Sequence, residues 1–239
     1  MKTPVIIRRS LLEGADGVSG ATVVIDTFRA FSTAASLLAS GVDRIVLAES
    51  LDEARSRAAS IPNSILCGED GGRRPEDFDL GNSPVEVGAY PHLAGRTVVM
   101  RTSSGTRTIV RALRSGADPV YAASLVVAGA TASAVRGSTR VTIVASGLGG
   151  MSIADEDEET AGLISDRILG RAEDAQRIDR LRSGEGAARL RSTPWIDPED
   201  LALCLHVDRF SFALRARLNG GVATLNAVRS TGSDSTPQK

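Results

Sequence analysis

A repeat restricts this chain more than any other feature. Laying Thr22–Ala48 over Thr97–Ala123 without a gap, at an offset of 75, makes ten of 27 positions identical. Thr22-Val23-Val24 falls on Thr97-Val98-Val99, Ser40-Gly41-x-Asp43 on Ser115-Gly116-x-Asp118, and Ala48 on Ala123. Each copy reads as an apolar run of strand length, a polar turn and a helical pattern. Duplication would put two equivalent strand–loop–helix units in one sheet. The plain alternative is two unrelated units that share common residues. Either way both loops sit at strand carboxyl ends, where open α/β sheets place ligands.

The remaining pattern agrees. Ala21–Asp26, Arg44–Ala48, Ser64–Cys67, Thr97–Met100, Pro119–Ala122 and Arg140–Ala145 read as strands. They are apolar throughout rather than alternating, which implies burial on both faces. Ser32–Ala39 reads as a helix, and Ser50-Leu51-Asp52-Glu53 is a capping box opening another to about Ala59. The C-terminal third reads as helical over Thr160–Leu169, Ala172–Arg182 and Pro198–Leu205. No linker divides the middle. The expectation is one α/β domain over residues 1–229 with a largely parallel sheet, and a disordered tail at 230–239 that lacks apolar content.

Composition closes off several functions. The net charge is −1 and only 3% of residues are aromatic, so no footprint for nucleic acid appears. No apolar run approaches the roughly 18 residues of a membrane span. The segment Met1–Arg9 is too short and too charged for a secretory signal, so a cytoplasmic location is expected. Two cysteines, Cys67 and Cys204, exclude a disulfide framework and a Cys-based zinc knuckle, and two histidines, His92 and His206, argue against a two- or three-His metal site.

Four loops could carry chemistry. Asp26-Thr27-Phe28-Arg29 follows the first repeat strand; it is either a helix cap or an acid facing a ligand with Arg29 on an oxyanion. Cys67 to Arg74, running on to Phe78-Asp79-Leu80-Gly81-Asn82-Ser83-Pro84, is rich in glycine and carboxylate, as hard-cation sites are. Its Cys67-x5-Arg73 spacing matches cysteine-dependent phosphatases, but Glu69 and Asp70 inside the loop would repel an anion and raise the thiol pKa. Thr102-Ser103-Ser104-Gly105-Thr106 offers hydroxyls and helix-start amides as a seat for phosphate or carboxylate. It lacks the Gly-Lys ending of a nucleotide loop. Ser146-Gly147-Leu148-Gly149-Gly150 leads into five acids, Asp155 to Glu159. Most would form a solvated helix start, and one or two would turn inward. Asp26, Glu69, Asp79, Glu156 and Asp157 with Arg29, Arg73 and the Ser103–Thr106 seat suit a divalent cation bridging a phosphate ester. Oxygen ligands favour Mg2+.

At these residues the chain resembles the 2-phosphosulfolactate phosphatase family, from about Val23 to Gly162. The resemblance is carried by Val24-Ile25-Asp26-Thr27-Phe28-Arg29-Ala30, by Gly68-Glu69-Asp70-Gly71-Gly72 with Phe78 to Pro84, by Thr102 to Thr106, and by Glu156-Asp157 before Ala161-Gly162. Asp70 stands where the family has Arg, and Ser103-Ser104 stand where it has Thr-Asn. The resemblance implies a three-layer α/β/α fold with a largely parallel or mixed sheet. It also implies a Mg2+-dependent phosphatase that converts 2-phospho-3-sulfolactate to sulfolactate and phosphate, a step of coenzyme M synthesis. On that reading Asp26, Arg29, Glu69 and Asp79 are the catalytic candidates. Asp26, Glu69, Glu156 and Asp157 are the metal candidates. Arg73, Asn82, Ser83, Thr102, Ser103, Ser104, Gly105 and Thr106 are the substrate-binding candidates. A homodimer is expected by family analogy. The alternative is a non-catalytic relative that binds a small anion.

Overall fold

The apolar runs assemble into one nine-stranded mixed sheet among residues 3–229, the part of the chain that the computed structural model describes. In chain order the elements are β1 (Val5–Ser10), β2 (Ala21–Ile25), α1 (Ala30–Ala39), β3 (Arg44–Ala48), α2 (Leu51–Ser60), β4 (Ile65–Gly68), α3 (Pro84–Ala89), β5 (Thr97–Arg101) and α4 (Gly105–Arg114). They continue with β6 (Val120–Ala123), α5 (Ala128–Ala134), β7 (Arg140–Ala145), α6 (Asp155–Leu169), α7 (Arg177–Ser183), α8 (Glu185–Ser192), α9 (Pro198–Cys204), β8 (Ala213–Asn219) and β9 (Val222–Val228). The expected tail at 230–239 lies outside the described residues.

The strand order is β1-β7-β2-β6-β8-β9-β3-β5-β4. β1, β7, β2 and β6 are mutually parallel, and so are β3, β5 and β4. The β8–β9 hairpin separates these halves and pairs antiparallel to β6 on one side and β3 on the other. Three antiparallel steps reverse direction, so the two parallel halves run oppositely.

The repeat is visible in this topology. α1 and α4 begin 75 residues apart and are each ten residues long. Both stop at a serine followed by a left-handed glycine, Gly41 at φ 85° and Gly116 at φ 84°. Pairing is reciprocal: β2 of the first unit lies against β6 of the second, and β5 of the second against β3 of the first. That exchange is what a pseudo-twofold axis through the hairpin produces.

Strand alternation sorts the layers. Ile45, Leu47, Val98 and Met100 face the main core beneath α1 and α4, while Val46, Ala48 and Val99 face a smaller core under α2. β2 is buried at every position, as its unbroken apolar run requires. The crossover helices α1 and α4 both pack on the main core and touch each other. The loop after β2 therefore meets the start of α4, although the two halves point apart.

The C-terminal third is not all helical. Ala172–Arg182 shortens to α7, α8 follows it, and β8–β9 fills the centre of the sheet. The turn Asn219-Gly220-Gly221 has φ 55° and 78° at its two glycines and the register Asn219↔Val222. That is the two-residue turn whose twist matches paired strands. Nor was β1 expected; its exposed Val5 and charged Arg8-Arg9 mask an edge strand. No helix among the described residues is long and apolar enough to cross a membrane.

Gly105 sits where the two units touch. A Cβ there would lie 2.7 Å from Asp26 Oδ2 and 2.9 Å from Phe31 Cζ, both too close. Gly105→Ala is expected to cost about 1–3 kcal/mol, the usual penalty of overpacking. Urea unfolding measures it, and an unchanged midpoint would contradict the close approach.

Candidate active site

Strand ends and helix starts leave backbone amides without partners, and four buried acids collect them. Asp26 follows β2; its Oδ1 accepts from the Ala30 amide at 3.2 Å and its Oδ2 from the Gly105 amide at 2.9 Å. It therefore bridges the first turns of α1 and α4. Asp157, in the first turn of α6, accepts from the Thr27 amide at 2.8 Å and the Gly147 amide at 2.9 Å. Glu69 follows β4 and accepts from the Gly72 amide at 2.6 Å, the Ser103 hydroxyl at 3.0 Å and the Ser103 amide. Asp200, in α9, is fully buried; it accepts from the Ser83 hydroxyl at 2.7 Å, the Val85 amide at 3.1 Å and the Arg29 guanidinium.

Three of these acids border a cavity of about 430 Å³. Asp26, Glu69, Glu156 and Asp157 line it with Arg29, Asn82, Ser103 and Ser104, and Arg189, Trp195 and the Gly147–Ser152 loop close it. The acids come from loops up to 131 residues apart in the sequence, Asp26 and Asp157 being the extremes. Four carboxylates face two guanidiniums. Arg29 is tied to Asp200, and Arg189 donates to Glu156 Oε1 at 2.5 Å.

This crowding shifts the acids. Burial, then the neighbouring Glu69 charge, pushes Asp26 up to about 6, against the pull of two amides. Burial and a hydrogen bond with Asp155 push Glu156 up to about 7. Asp157 is held well above the carboxylate range by burial and by the charges of Asp26 and Glu156. Burial pushes the Cys67 thiol far above neutrality, so Cys67 is not a thiolate nucleophile.

Two buried atoms on the cavity wall find no partner among the described residues: Asn82 Oδ1 and Glu156 Oε2. The donor set is all oxygen and carries excess negative charge, which suits a hard divalent cation. As they stand, no three His, Cys, Asp or Glu side chains of the described residues converge closely enough to hold a metal ion unaided. Metal binding at this cavity would therefore draw on the orphaned Glu156 Oε2, Asn82 Oδ1, bound water and substrate oxygens beside Asp26, Glu69 and Asp157. Mg2+ sites commonly keep several waters and substrate oxygens.

Several expected residues stand elsewhere. Asp79 is exposed and accepts from the Leu66 amide at 2.8 Å, so it serves the edge strand β4 and not the cavity. Ser83 caps α3 and holds Asp200. Thr102 and Thr106 bond each other behind the wall, Thr106 Oγ1 donating to the Thr102 carbonyl at 3.0 Å. Arg73 is exposed, its guanidinium stacked 4.1 Å over the Trp195 ring. The amides expected to seat an anion are already taken by protein acids, Ser103 by Glu69 and Gly105 by Asp26. Asp70 turns outward and pairs with Arg101 at 2.9 Å, so its charge does not enter the cavity.

All five acids of 155–159 have assignments. Glu156 and Asp157 are each 3% exposed and turn inward. Asp155 accepts from the first amides of α8, Glu158 pairs with Arg8, and Glu159 with Arg177 and Arg180. Sequence reasoning missed Arg189, Trp195 and Asp200. Asp200 had a faint signal, the Asp197-Pro198 helix start before it. Arg189 had none, being one of 26 arginines.

Known proteins resemble the chain along most of its length. A protein of Pseudothermotoga lettingae described as a probable 2-phosphosulfolactate phosphatase is 37% identical over 158 residues, 66% of each chain. One of the same description from Deinococcus radiodurans is 36% identical over 180 residues, 72% of this chain and 74% of the relative. Another, from a Synechococcus species, is 33% identical over 217 residues, 82% of this chain and 88% of the relative. The family model for 2-phosphosulpholactate phosphatase matches residues 8–216, which include every residue lining the cavity, and the chain belongs to that family.

Proposed function

We propose that the cavity hydrolyses a small anionic phosphomonoester with the help of Mg2+, and that 2-phospho-3-sulfolactate, the compound in its relatives' names, is a substrate. The observation that carries this is the meeting of Asp26, Glu69, Glu156 and Asp157 with Arg29 at one cavity. Monoester hydrolysis needs negative charge neutralised on the phosphoryl group and a proton delivered to the leaving oxygen. Arg29, oriented by Asp200, is the group for the phosphoryl oxygens. Asp26 is the acid; its carboxyl keeps a proton to about 6, within reach of a neutral working pH. Asn82, with its unpartnered Oδ1, takes a polar group of the substrate. Glu69, Glu156 and Asp157, together with water and substrate oxygens, would hold Mg2+, which would supply charge neutralisation at the phosphoryl oxygens.

A second reading has one observation in its favour. The α4 amides are occupied by Asp26 and Glu69, so a bound anion would have to compete with them, as in a sensor that changes shape on binding. Such a protein would be stabilised by phosphate or sulfolactate without turnover.

Three outcomes are expected. Phosphate release from 2-phospho-3-sulfolactate appears with added Mg2+ and stops with EDTA; inertness of a folded, Mg2+-replete preparation toward a panel of phosphoesters would overturn the phosphatase reading. Asp26→Asn lowers kcat by about 10²–10⁴-fold, the range for loss of a positioned acid, and wild-type kcat in that variant would remove Asp26 from the mechanism.

Stability follows from the same acids. Asp26 rises from 3.8 to about 6 and Glu156 from 4.5 to about 7. Through that window the folded state binds more protons than the unfolded state, so stability falls as pH rises. In the absence of divalent cations the Tm is therefore expected to drop between about pH 5 and about pH 8. Mg2+ should restore it at the higher pH and have little effect at the lower. Calorimetry decides, and equal Mg2+ stabilisation at both values would contradict the buried acids as its binding groups.

A further inference from the structure

The central hairpin presents two unlike faces. Leu214, Ala216, Ala223 and Leu225 of β8 and β9 are buried in the main core. Side chains between them point the other way, and these are polar: Arg215, Arg217, Thr224 and Asn226. Strands covered on both faces are apolar throughout, as β2 is. On this second face α2 packs on β3, β4 and β5, and α5 on β6 and β8, so the middle of the sheet stays partly open.

Beside α5 the open face forms a second cavity of about 490 Å³. Tyr121 of β6, Arg215 and Arg217 of β8, Arg136 after α5 and Arg229 after β9 stand on its wall. No acid lines it, and none of its residues borders the acid-rich cavity.

Its guanidiniums lack counter-charges. Arg136, Arg217 and Arg229 are exposed and make no ion pair among the described residues. Arg215 is 14% exposed, lies 5.1 Å over the Tyr121 ring, and pairs with Asp118, which is itself 80% exposed. The Arg215 Nε is buried and finds no acceptor among the described residues. Four guanidiniums around one hollow repel one another. A ligand bearing several negative charges relieves that repulsion and stabilises the fold by mass action.

The chemistry narrows the ligand. Guanidiniums grip phosphate oxygens as planar forks. The volume suits a small molecule. Three unpaired guanidiniums call for at least three negative charges, more than orthophosphate carries near neutral pH and within what a triphosphate supplies. Arg215 already covers the Tyr121 ring, so the hollow is not built as a stacking platform for bases.

We propose that Arg136, Arg215, Arg217 and Arg229 form a second anion site, which binds an oligophosphate chain, free or as the tail of a nucleoside triphosphate. The site is separate from the acid-rich cavity, and its existence does not depend on the phosphatase reading.

The test is calorimetric titration of the full chain in EDTA at low salt, with tripolyphosphate, ATP, orthophosphate and a single-stranded DNA dodecamer. Tripolyphosphate is expected to bind about 10-fold or more tighter than orthophosphate, and added salt should weaken it. Arg136→Gln and Arg217→Gln should each weaken it by about 10-fold, the loss of a charge-assisted contact. The Tm without ligand should hold in both variants, because both side chains are exposed. ATP binding no tighter than tripolyphosphate assigns the chain alone as ligand, and tighter ATP binding assigns the nucleotide; either supports the site. No binding of tripolyphosphate or ATP at millimolar concentration overturns it, as does orthophosphate binding equally well. Binding unchanged in both variants also overturns it and puts the anion elsewhere on the protein. A dodecamer bound more tightly than ATP and tripolyphosphate overturns it in favour of a nucleic-acid surface.

Discussion

The Asp26 carboxylate is the joint on which the structure turns. Its two oxygens hold the first amides of α1 and α4, the helices of the two repeated units. A helix start presents amides that need an acceptor, and one buried acid serves both. The joint also explains why Gly105 carries no side chain. Asp157 and Glu69 repeat the device with other loops, and Asp200 does so with Arg29 and the start of α3. The loops at this rim are held together by acids bonded to backbone as well as by the apolar cluster of Phe28, Leu190 and Ile196.

That solution has an electrostatic consequence. Asp26 and Asp157 each accept from two backbone amides, yet they stand near one another away from water, and repulsion and desolvation outweigh those bonds. The rise of Asp26 corresponds to about 3 kcal/mol in favour of its protonated form. A site built this way is loaded for a cation or for proton transfer, and both belong to phosphoester chemistry. Arg29 and Arg189 offset only part of the charge.

Much of the frame was legible in the chain. The repeat located two crossover helices and their stops, because a 75-residue offset preserves spacing that the backbone must obey. Asp26, Glu69, Ser103, Ser104, Glu156 and Asp157 could be named because strand ends and glycine-rich turns are where open sheets place ligands, whereas Asn82 was named through the family resemblance alone. Asp79 misled, since an acid in a loop looks the same whether it faces a cavity or caps an edge strand. The β8–β9 hairpin announced itself through Asn219-Gly220-Gly221, a signal overshadowed by the helical patterns before it.

By itself the sequence determined the α/β class, the strand–loop–helix units and the stock of acids, because periodicity and turn chemistry are local properties. Only the tertiary structure decided which acids face one another. Strand order and the reversal imposed by the central hairpin depend on pairings between distant segments. The same folding brought Trp195, Arg189 and Asp200 from the C-terminal third to a rim built by the first two thirds. Their roles come from what they touch, and no local pattern records that.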